Sequence, residues 1–500
     1  SLLARAFARF APARYPAPPV AELPPASSRR DRAGMSLLHD LLQWGPIWTS
    51  AVEGYGWTVM DNWTVPEEKK QKLKRAVAAK WAPDPALPRS WCIVDGKVID
   101  LERLARVHPG GGAVLGQVNK TDATEVFHST HDLWMSEEDT ARWLSSMSTE
   151  ASAKVAPEAA ESEASWSFRS PFARELLQAA RAHFDGEASR RGLAGGARAA
   201  AKASVGKWAL VLGSFLGWLL ALGLWLQGRA AGLLLQPAFG LLVTFHVFHD
   251  AAHSALSTCP CVNRLWATLA FLPFGVTPGE WAVEHNTGHH LFTNVEGQDP
   301  DVQHMRRWRR VRRGHLPLQL LIWAVAVPLG LQLIQALRFR GFAPGTGERI
   351  RGGACALAGD AALRLCHLLL FYAWPLWRWG LAGGLAWALV PQVLFSWGFM
   401  LTTQIAHLNE EALLDGQPVP TSALQPAPRC WYKHQAEHAV DFGVRDAPLF
   451  PWRYLASGGL NLQTVHHLFP GVNHCHLHKL RPLVAEVCAR HGVQLRDVPG

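Results

Sequence analysis

Cysteine and glutamate are both present in this sequence, but not in the arrangements that usually bind metals or form disulfides. No two of the eight cysteines are separated by two intervening residues, which excludes the common zinc-binding and dithiol motifs. Nothing resembles a disulfide framework, so we expect reduced thiols facing the cytosol. Between residues 171 and 495 no glutamate stands three residues before a histidine. The Glu-x-x-His pairs of soluble di-iron bundles are therefore missing from this long segment.

Charged residues are also scarce. They make up 18% of the chain against 49% hydrophobic residues, which excludes a disordered protein. Residues 1–35 are rich in Arg, Ala and Pro and contain no acid before Glu22. They are either a targeting segment or translated sequence upstream of Met35, and we assign 1–87 to an amino-terminal tail. An arginine cluster between residues 306 and 313 contributes to the net charge of +9. Beside membrane spans, such a cluster indicates the cytosolic side.

Long apolar stretches, in contrast, are plentiful. Five of them approach the ~20 residues that cross about 30 Å of hydrocarbon. They are 208–227, 230–248, 316–336, 361–379 and 381–403. The histidine clusters described next must lie on one side of the membrane if they meet, which requires an even number of crossings between them. We therefore expect four spans and place 316–336 in the interface, although the choice between 316–336 and 361–379 stays open.

Histidines gather in three compact clusters around these stretches. With His407, which follows the last stretch, the members are His249 and His253; His285, His289 and His290; and Gln463, His466 and His467. Residues four apart share one face of a helix, so the side chains within a cluster point together. Neutral imidazole suits iron, zinc, copper and nickel. One zinc would take only three or four ligands, so this number of histidines predicts two metal ions.

A separate pair of histidines precedes the apolar stretches. Residues 93–100 alternate like a short hairpin with Asp95-Gly96 as its turn, and His108-Pro-Gly-Gly follows. Together with the segment from Thr121 to Phe127 and with His131, these residues resemble a cytochrome b5 domain.

The resemblance places this domain at 88–147 and implies a haem b between two histidines. Its axial ligands fall on His108 and His131, and His128 competes for the second position. Ligation by two imidazoles implies one-electron transfer, because no axial position stays open for oxygen. Residues 148–170 are interpreted as a linker, since 148–166 are mainly Ala, Ser and Glu. A flexible tether would keep the electron carrier at a high effective concentration near its acceptor.

The three clusters, His407 and the segment from Asn461 to Pro470 resemble the membrane fatty-acyl desaturases. The fused cytochrome b5 domain and the glutamine that opens the last cluster are typical of the front-end class. The resemblance implies a mainly α fold, in which the small α+β cytochrome b5-like domain precedes a polytopic membrane desaturase domain at 171–495. That domain is expected to have about four transmembrane helices and a cytosolic histidine-rich cap.

The same resemblance implies the chemistry. Two non-haem iron ions and O2 would insert a cis double bond between an existing double bond and the carboxyl end of an acyl chain. NADH would supply electrons through cytochrome b5 reductase, and the substrate would be a fatty acyl-CoA or a phospholipid acyl chain. The residues around His289 resemble those of Δ5-type desaturases, which favours a Δ5-type product. The endoplasmic reticulum is the expected membrane, with a plastid or other organelle not excluded.

The implied iron ligands are His249, His253, His285, His289, His290, His407, His466 and His467. Gln463 occupies a ligand position, and whether its amide binds iron or orients a neighbour stays open.

Other polar residues near the clusters are assigned supporting or surface roles. Asp250, Asn286 and Asp301 are candidates for holding an imidazole in one tautomer. His246 is expected to be a packed or supporting histidine. His434 and His438 are expected either to support the site or to lie on the surface. A solvated turn is expected for His474, His476 and His478.

Several other functions share parts of this pattern. A sphingoid-base desaturase of the Δ8 type or a hydroxylase would have the same architecture. A membrane-anchored cytochrome b5 electron carrier needs one span and no histidine clusters. A metal transporter would place its polar groups near the middle of the bilayer, whereas these histidines lie at the ends of spans.

Overall fold

The computed structural model describes residues 87–88, 90–108, 110, 114–115, 118–119, 122–149, 166–295, 299, 301, 316–334, 353–409, 411–413, 419, 428–444 and 450–498. Most of these residues are helical, as predicted. The arginine cluster at 306–313 and nearly all of the expected tail lie outside the described residues.

The amino-terminal module begins with the predicted hairpin. Strands β1 (Trp91–Val94) and β2 (Lys97–Asp100) pair antiparallel. Asp95 and Gly96 join them with positive φ angles of 48° and 72°, as a two-residue turn with left-handed residues requires. Three helices complete the described part of the module: α1 (Leu101–Ala105), α2 (Thr124–His131) and α3 (Glu137–Met147). Side-chain caps start α1 at Asp100 and α3 at Ser136.

The last five residues of the expected linker belong to the packed structure. Strand β3 (Trp166–Ser167) pairs in parallel with β4 (Arg429–Cys430) from the far end of the chain. The side chain of Ser170 then caps the long helix α4 (Pro171–Arg191). Trp166 and Phe168 are both buried. The segment thus fastens the amino-terminal module to the rest of the chain, and the boundary at 170 stays a prediction.

The described apolar part consists of helices interrupted by four wider, π-helical turns. Its elements are α5 (Gly196–Ala200), α6 (Val205–Leu226), α7 (Ala230–Val243), the π-helix Thr244–Phe248, α8 (His249–Ala252), α9 (Pro260–Leu269), α10 (Phe271–Phe274), α11 (Pro278–Trp281), the π-helix Ala282–His289, α12 (Leu316–Val325), the π-helix Ala326–Ile334, α13 (Gly353–Leu368), the π-helix Leu369–Ala373 and α14 (Trp374–Gln404).

Three helical stretches among the described residues are long and apolar enough to cross a membrane. They are Val205–Leu226, Ala230–Ala252 and Ala358–Gln404. The third contains 47 residues and breaks at Gly380, which has a φ of 68°. A Cβ atom on Gly384 would lie 2.5 Å from the Cα of Leu376, although eight residues of straight helix span about 12 Å. The chain therefore reverses at Gly380, and its two arms coincide with the predicted spans 361–379 and 381–403.

The remaining apolar stretch packs across the second arm of this hairpin. The indole Nε1 of Trp397 donates to the carbonyl of Leu320 over 2.8 Å, and the backbone N–H of Val327 donates to Ser396 Oγ over 3.0 Å. Further along, the amide of Gln332 donates to Gln392 Oε1 over 3.1 Å. Its contacts are thus mainly with the hairpin, and the expected count of four crossings stays a prediction.

The carboxy-terminal part folds over one end of these helices. It consists of α15 (Trp431–His438), β5 (Asp441–Phe442), α16 (Phe450–Ala456), α17 (Gln463–Leu468), a 3-10 turn (His474–His476), α18 (Leu477–Arg490) and β6 (Asp497–Val498). One hydrophobic core joins Trp166 and Phe184 to Leu468 and Val484 in this part. A second core fills the space between the membrane helices. The histidine clusters lie between the two cores.

Candidate metal centre

Five histidines from all three clusters converge on one point. They are His249, His253, His285, His290 and His466, and one ring nitrogen from each lies within 4.8 Å of all the others. Four of them are buried, and His253 is partly buried, with its Nε2 atom inaccessible to solvent. Their segments are the end of the second apolar stretch, the π-helix Ala282–His289 and helix α17, so the folding of distant parts of the chain creates this group.

Distances within this group match those between ligands of one ion. The Nε2 of His285 lies 2.9 Å from that of His249 and 3.1 Å from that of His290. The Nε2 of His466 lies 3.1 Å from that of His290. Two nitrogens bound at about 2.1 Å and at right angles to each other would be about 3.0 Å apart. The four imidazoles therefore already have the spacing that a shared metal ion would impose.

A second group lies beside the first. Ring nitrogens of His289, His407 and His467 come within 4.8 Å of one another. The amide of Gln463 joins them: its Nε2 lies 2.9 Å from His407 Nε2 and 3.2 Å from His467 Nε2. Its Oε1 is buried and has no hydrogen-bond partner. The oxygen and nitrogen of a side-chain amide have nearly the same size. Rotating the Gln463 amide by 180° would therefore place its oxygen next to both imidazoles.

The wide turn of the π-helix Ala282–His289 distributes its histidines between the two groups. The backbone N–H of His290 donates to the carbonyl of His285, five residues earlier. Both His289 and His290 then lie on the side of His285, yet His290 joins the first group and His289 the second. We predicted the shared side correctly but expected an ordinary α-helix.

Polar neighbours hold two of the rings in place. The Nδ1 of His289 donates to Asp299 Oδ1 over 3.0 Å, and Asp301 is farther away at 3.7 Å. The Nδ1 of His467 donates to Gln435 Oε1 over 2.9 Å, which leaves its Nε2 free to face the second group. Bonds of this kind fix the tautomer of a metal-ligating histidine.

The donor set fits metal ions. Within the first group, the buried Nε2 of His253 has no hydrogen-bond partner. Burial, reinforced by the neighbouring histidines, keeps the pKa of His285, His290, His466 and His467 well below the usual value of 6.5. These rings are thus neutral at pH 7, the form that binds a metal. A donor set made of imidazoles suits iron among other transition metals.

The haem-type site of the amino-terminal module has a comparable arrangement. The ring centroids of His108 and His131 are 6.0 Å apart. Two metal–nitrogen bonds of about 2 Å, plus the distance from each nitrogen to its ring centre, give about 6 Å. His131 donates from Nδ1 to the carbonyl of Phe127 over 2.9 Å, so its Nε2 stays available. Burial lowers the pKa of His131 to about 4, which keeps its ring neutral.

His128, the competitor for the second axial position, is engaged elsewhere. Its Nδ1 lies 2.8 Å from Asp132 Oδ1 and its Nε2 lies 3.0 Å from Asp95 Oδ1. Burial opposes the charged ring, but the bonds to these two carboxylates raise the pKa of His128 to about 9. A protonated imidazole has no lone pair for iron. The structure therefore favours His131.

Two histidines that we expected in a solvated turn are buried, so that prediction was wrong. His474 donates from Nδ1 to the carbonyl of Gly458, and His476 donates from Nε2 to the carbonyl of Lys202, each over 2.8 Å. These bonds attach the segment that carries the two histidines to the rest of the domain. His478 is exposed as expected.

The supporting residues also differ in part from the expectations. His246 is packed as expected: its Nδ1 lies 3.0 Å from Nζ of Lys207. Asp250 does not orient a candidate ligand but forms a buried ion pair of 2.8 Å with Lys207. Asn286 donates to the carbonyl of Ala252.

Both of the histidines whose position was left open are buried. They are His434 and His438 in helix α15, and each bonds to a backbone carbonyl, of Thr293 and Ala412 respectively.

Sequence reasoning missed three residues that support the site: Asp299, Lys207 and Gln435. Only Asp299 left a usable signal, since it stands in the same Asp-Pro-Asp segment as Asp301.

Sequence comparisons show which family the chain belongs to. The family model for fatty acid desaturases matches residues 224–499, more than half of the chain. The chain belongs to the fatty acid desaturase family. A second model, for the cytochrome b5-like haem/steroid binding domain, matches residues 79–151 of this desaturase. The family assigns an oxidoreductase activity, and the two domains together imply haem and iron as cofactors.

Individual relatives resemble the desaturase along most of its length. The acyl-lipid omega-13 desaturase of Chlamydomonas reinhardtii is 26% identical over 83% of this chain and 90% of its own. The Delta(5) fatty acid desaturase A of Dictyostelium discoideum is 25% identical over 82% of this chain and 87% of its own. Fatty acid desaturase 3 of Bos taurus is 24% identical over 82% and 86%.

Proposed function

We propose that this desaturase inserts a cis double bond into a polyunsaturated acyl chain, on the carboxyl side of an existing double bond. The observation that carries the proposal is the pair of adjoining histidine groups in a chain that also holds a bis-histidine haem module. The first group would hold one iron through His249, His253, His285, His290 and His466. The second would hold another through His289, His407, His467 and the oxygen of Gln463.

An iron pair in these groups would supply reductive activation of O2 for removing two hydrogen atoms from adjacent acyl carbons. The protein's own residues organise that chemistry. Asp299 accepts a hydrogen bond from Nδ1 of His289, so the other nitrogen of the ring would be the one that binds the metal. Trp281 stacks on His285 at a ring distance of 4.4 Å, and Phe274 packs on Trp281 at 5.3 Å. These apolar rings keep water away from one side of the site.

The position of the new double bond is proposed from the relatives. Two of them are named as Δ5 desaturases, one of these as a probable one, and both align with more than four-fifths of this chain. We therefore propose a Δ5-type product. The proposed acyl carrier is either coenzyme A or a phospholipid.

The electron supply and the membrane are also proposals. NADH-cytochrome b5 reductase would reduce the haem between His108 and His131. The amino-terminal module, the histidine groups and the carboxy-terminal part pack at the same end of the apolar helices, which supports one common side of the membrane. We propose the endoplasmic reticulum membrane, with this side facing the cytosol.

Expression of the full chain in a host supplied with defined polyunsaturated acids tests the proposal. Mass spectrometry of the products should show a new double bond between the carboxyl group and the existing double bonds. The same host with the His289→Ala variant should make no product. A new double bond on a sphingoid base, or a hydroxylated acyl chain, would replace the proposal by one of those activities. If no lipid changes although the protein contains haem and iron, the proposal is wrong.

A further inference from the structure

A series of aromatic rings leads out of the haem module. The ring of His131 stacks on Phe127 at 4.5 Å, and Phe127 contacts His128 at 5.3 Å. His128 in turn stacks on Phe168 at 5.3 Å, just beyond the module. Phe168 contacts Trp431 at 5.6 Å. Each step is a contact between neighbouring rings, whose planes are stacked, edge-on or tilted. The series therefore reaches the carboxy-terminal part without an interruption.

The same segment makes a second contact closer to the metal centre. Trp166, two residues before Phe168, lies 4.6 Å from the ring of His434. His434 stands one helical turn after Trp431 in helix α15. Its Nε2 donates to the carbonyl of Thr293 over 2.7 Å, and Thr293 Oγ1 lies 3.0 Å from Nδ1 of His467. The contacts thus end on a histidine of the second metal group.

Polar contacts hold the haem module in this position. Arg181 of helix α4 donates to the carbonyls of Leu133 and Met135, over 3.0 and 2.7 Å. Arg174 of the same helix pairs with Glu137 over 2.8 Å. Because the bonds to Leu133 and Met135 satisfy partly buried backbone carbonyls, they fix the module at a defined place on the desaturase domain. Free diffusion of the module on its linker is then not needed to bring the two redox sites together.

We infer that Trp166, Phe168 and His434 form the route by which electrons pass from the haem to the His467 side of the metal centre. The inference rests on the proposed function. At each step one electron leaves a ferrous haem, which becomes ferric, and reduces one ferric iron to ferrous. No ring is itself oxidised, and no proton moves along the series. Two such steps serve each double bond.

A second aromatic contact between the described residues of the haem module and the desaturase domain leads elsewhere. Trp134 of the haem module lies 6.2 Å from Phe184, and Phe184 contacts His476 at 5.7 Å. Among the described residues, no ring contact continues from His476 to a candidate ligand. Trp134 therefore provides a matched control: an aromatic side chain at the same contact that lies off the proposed route.

The test measures how fast the haem is reoxidised. Full-length protein carrying haem and iron would be reduced under anaerobic conditions and mixed with oxygen and substrate in a stopped-flow instrument, with the haem Soret band as the readout. We expect Trp166→Leu to slow reoxidation several-fold, while Trp134→Leu changes it little. Haem content, iron content and the rate of haem reduction by dithionite should be the same in all variants.

A second variant separates the route from a loss of folding. His434→Gln keeps a donor for the carbonyl of Thr293 but removes the ring, and it should slow reoxidation as well. If Trp166→Leu loses haem or iron, His434→Gln alone decides. Reoxidation at the wild-type rate in a loaded His434→Gln or Trp166→Leu protein would overturn the route. If the wild type forms the expected product in that case, the proposed function still stands.

Discussion

The Nδ1 of His289 is hydrogen-bonded to Oδ1 of Asp299, with 3.0 Å between the two atoms and both side chains buried. A carboxylate that accepts a hydrogen bond from one nitrogen of an imidazole raises the basicity of the other nitrogen. A more basic imidazole is a stronger electron donor to a metal ion. The carboxylate therefore both orients the ring and strengthens it as a ligand.

Replacing Asp299 by Asn should weaken metal binding in the second group. Loss of such a partner typically lowers metal affinity about 10- to 100-fold. Iron content after titration with a chelator would measure the change. Asp301→Asn is the control, because that carboxylate is 3.7 Å from the same nitrogen and should matter less. Equal iron retention in Asp299→Asn and the wild type would contradict the assigned role.

The two candidate axial histidines should behave differently when substituted. His131→Ala should abolish the haem Soret spectrum, because it removes a neutral ring that faces His108 at 6.0 Å. His128→Gln should retain haem, since both nitrogens of His128 are used by carboxylates. Absorption spectra of the two purified variants decide. Retention of a normal bis-histidine spectrum by His131→Ala would transfer the ligand role to His128.

The ion pairs of His128 should make the stability of the haem module depend on pH. The pKa of this ring is raised from about 6.5 to about 9 in the folded protein. A raised pKa stabilises the folded state fully below about pH 6.5, and this contribution disappears as the pH rises through about 9. Thermal melts followed at the Soret band between pH 6 and 9.5 should show this decline. In His128→Gln the decline should be much smaller, and an unchanged slope in that variant would refute the explanation.

The buried pair of Lys207 and Asp250 should be costly to break. Both side chains are almost completely inaccessible and their charged atoms are 2.8 Å apart. Removing one partner of a buried pair destabilises a protein by about 3–5 kcal/mol. We expect Lys207→Met to lower the melting temperature in detergent clearly. Lys433→Met is the matched control, since its pair with Glu437 is exposed and worth about 0–1 kcal/mol. Similar melting temperatures for the two variants would contradict this expectation.

The reversal at Gly380 predicts which residues face the opposite side of the membrane. A cysteine at the exposed Leu381 should react with a charged thiol reagent only from the side away from His407. A cysteine at the exposed Glu411, beyond the second arm, should react from the cytosolic side. The exposed native Cys259, Cys261 and Cys366 would first be replaced by serine. Labelling of both positions from one side would exclude the four-span arrangement.

The sequence was sufficient to predict which kinds of site and which membrane helices this protein contains. The number of histidines, their spacing and the lengths of the apolar stretches indicated a metal centre at one end of membrane helices. The hairpin with its Asp95-Gly96 turn was also predictable, because two residues with positive φ need particular side chains. These features are local, and a local pattern is visible in the order of the residues.

Tertiary structure alone decided how the ligands are shared. His289 and His290 are neighbours, as are His466 and His467, yet the members of each pair belong to different groups. A π-helix and the meeting of three distant segments produce this division. Neither feature can be predicted from the spacing of residues along the sequence. The burial of His474 has the same origin, because its partner Gly458 is brought to it by the fold. Where a ring points depends on which partners surround it, and those partners come from parts of the chain that only folding brings together.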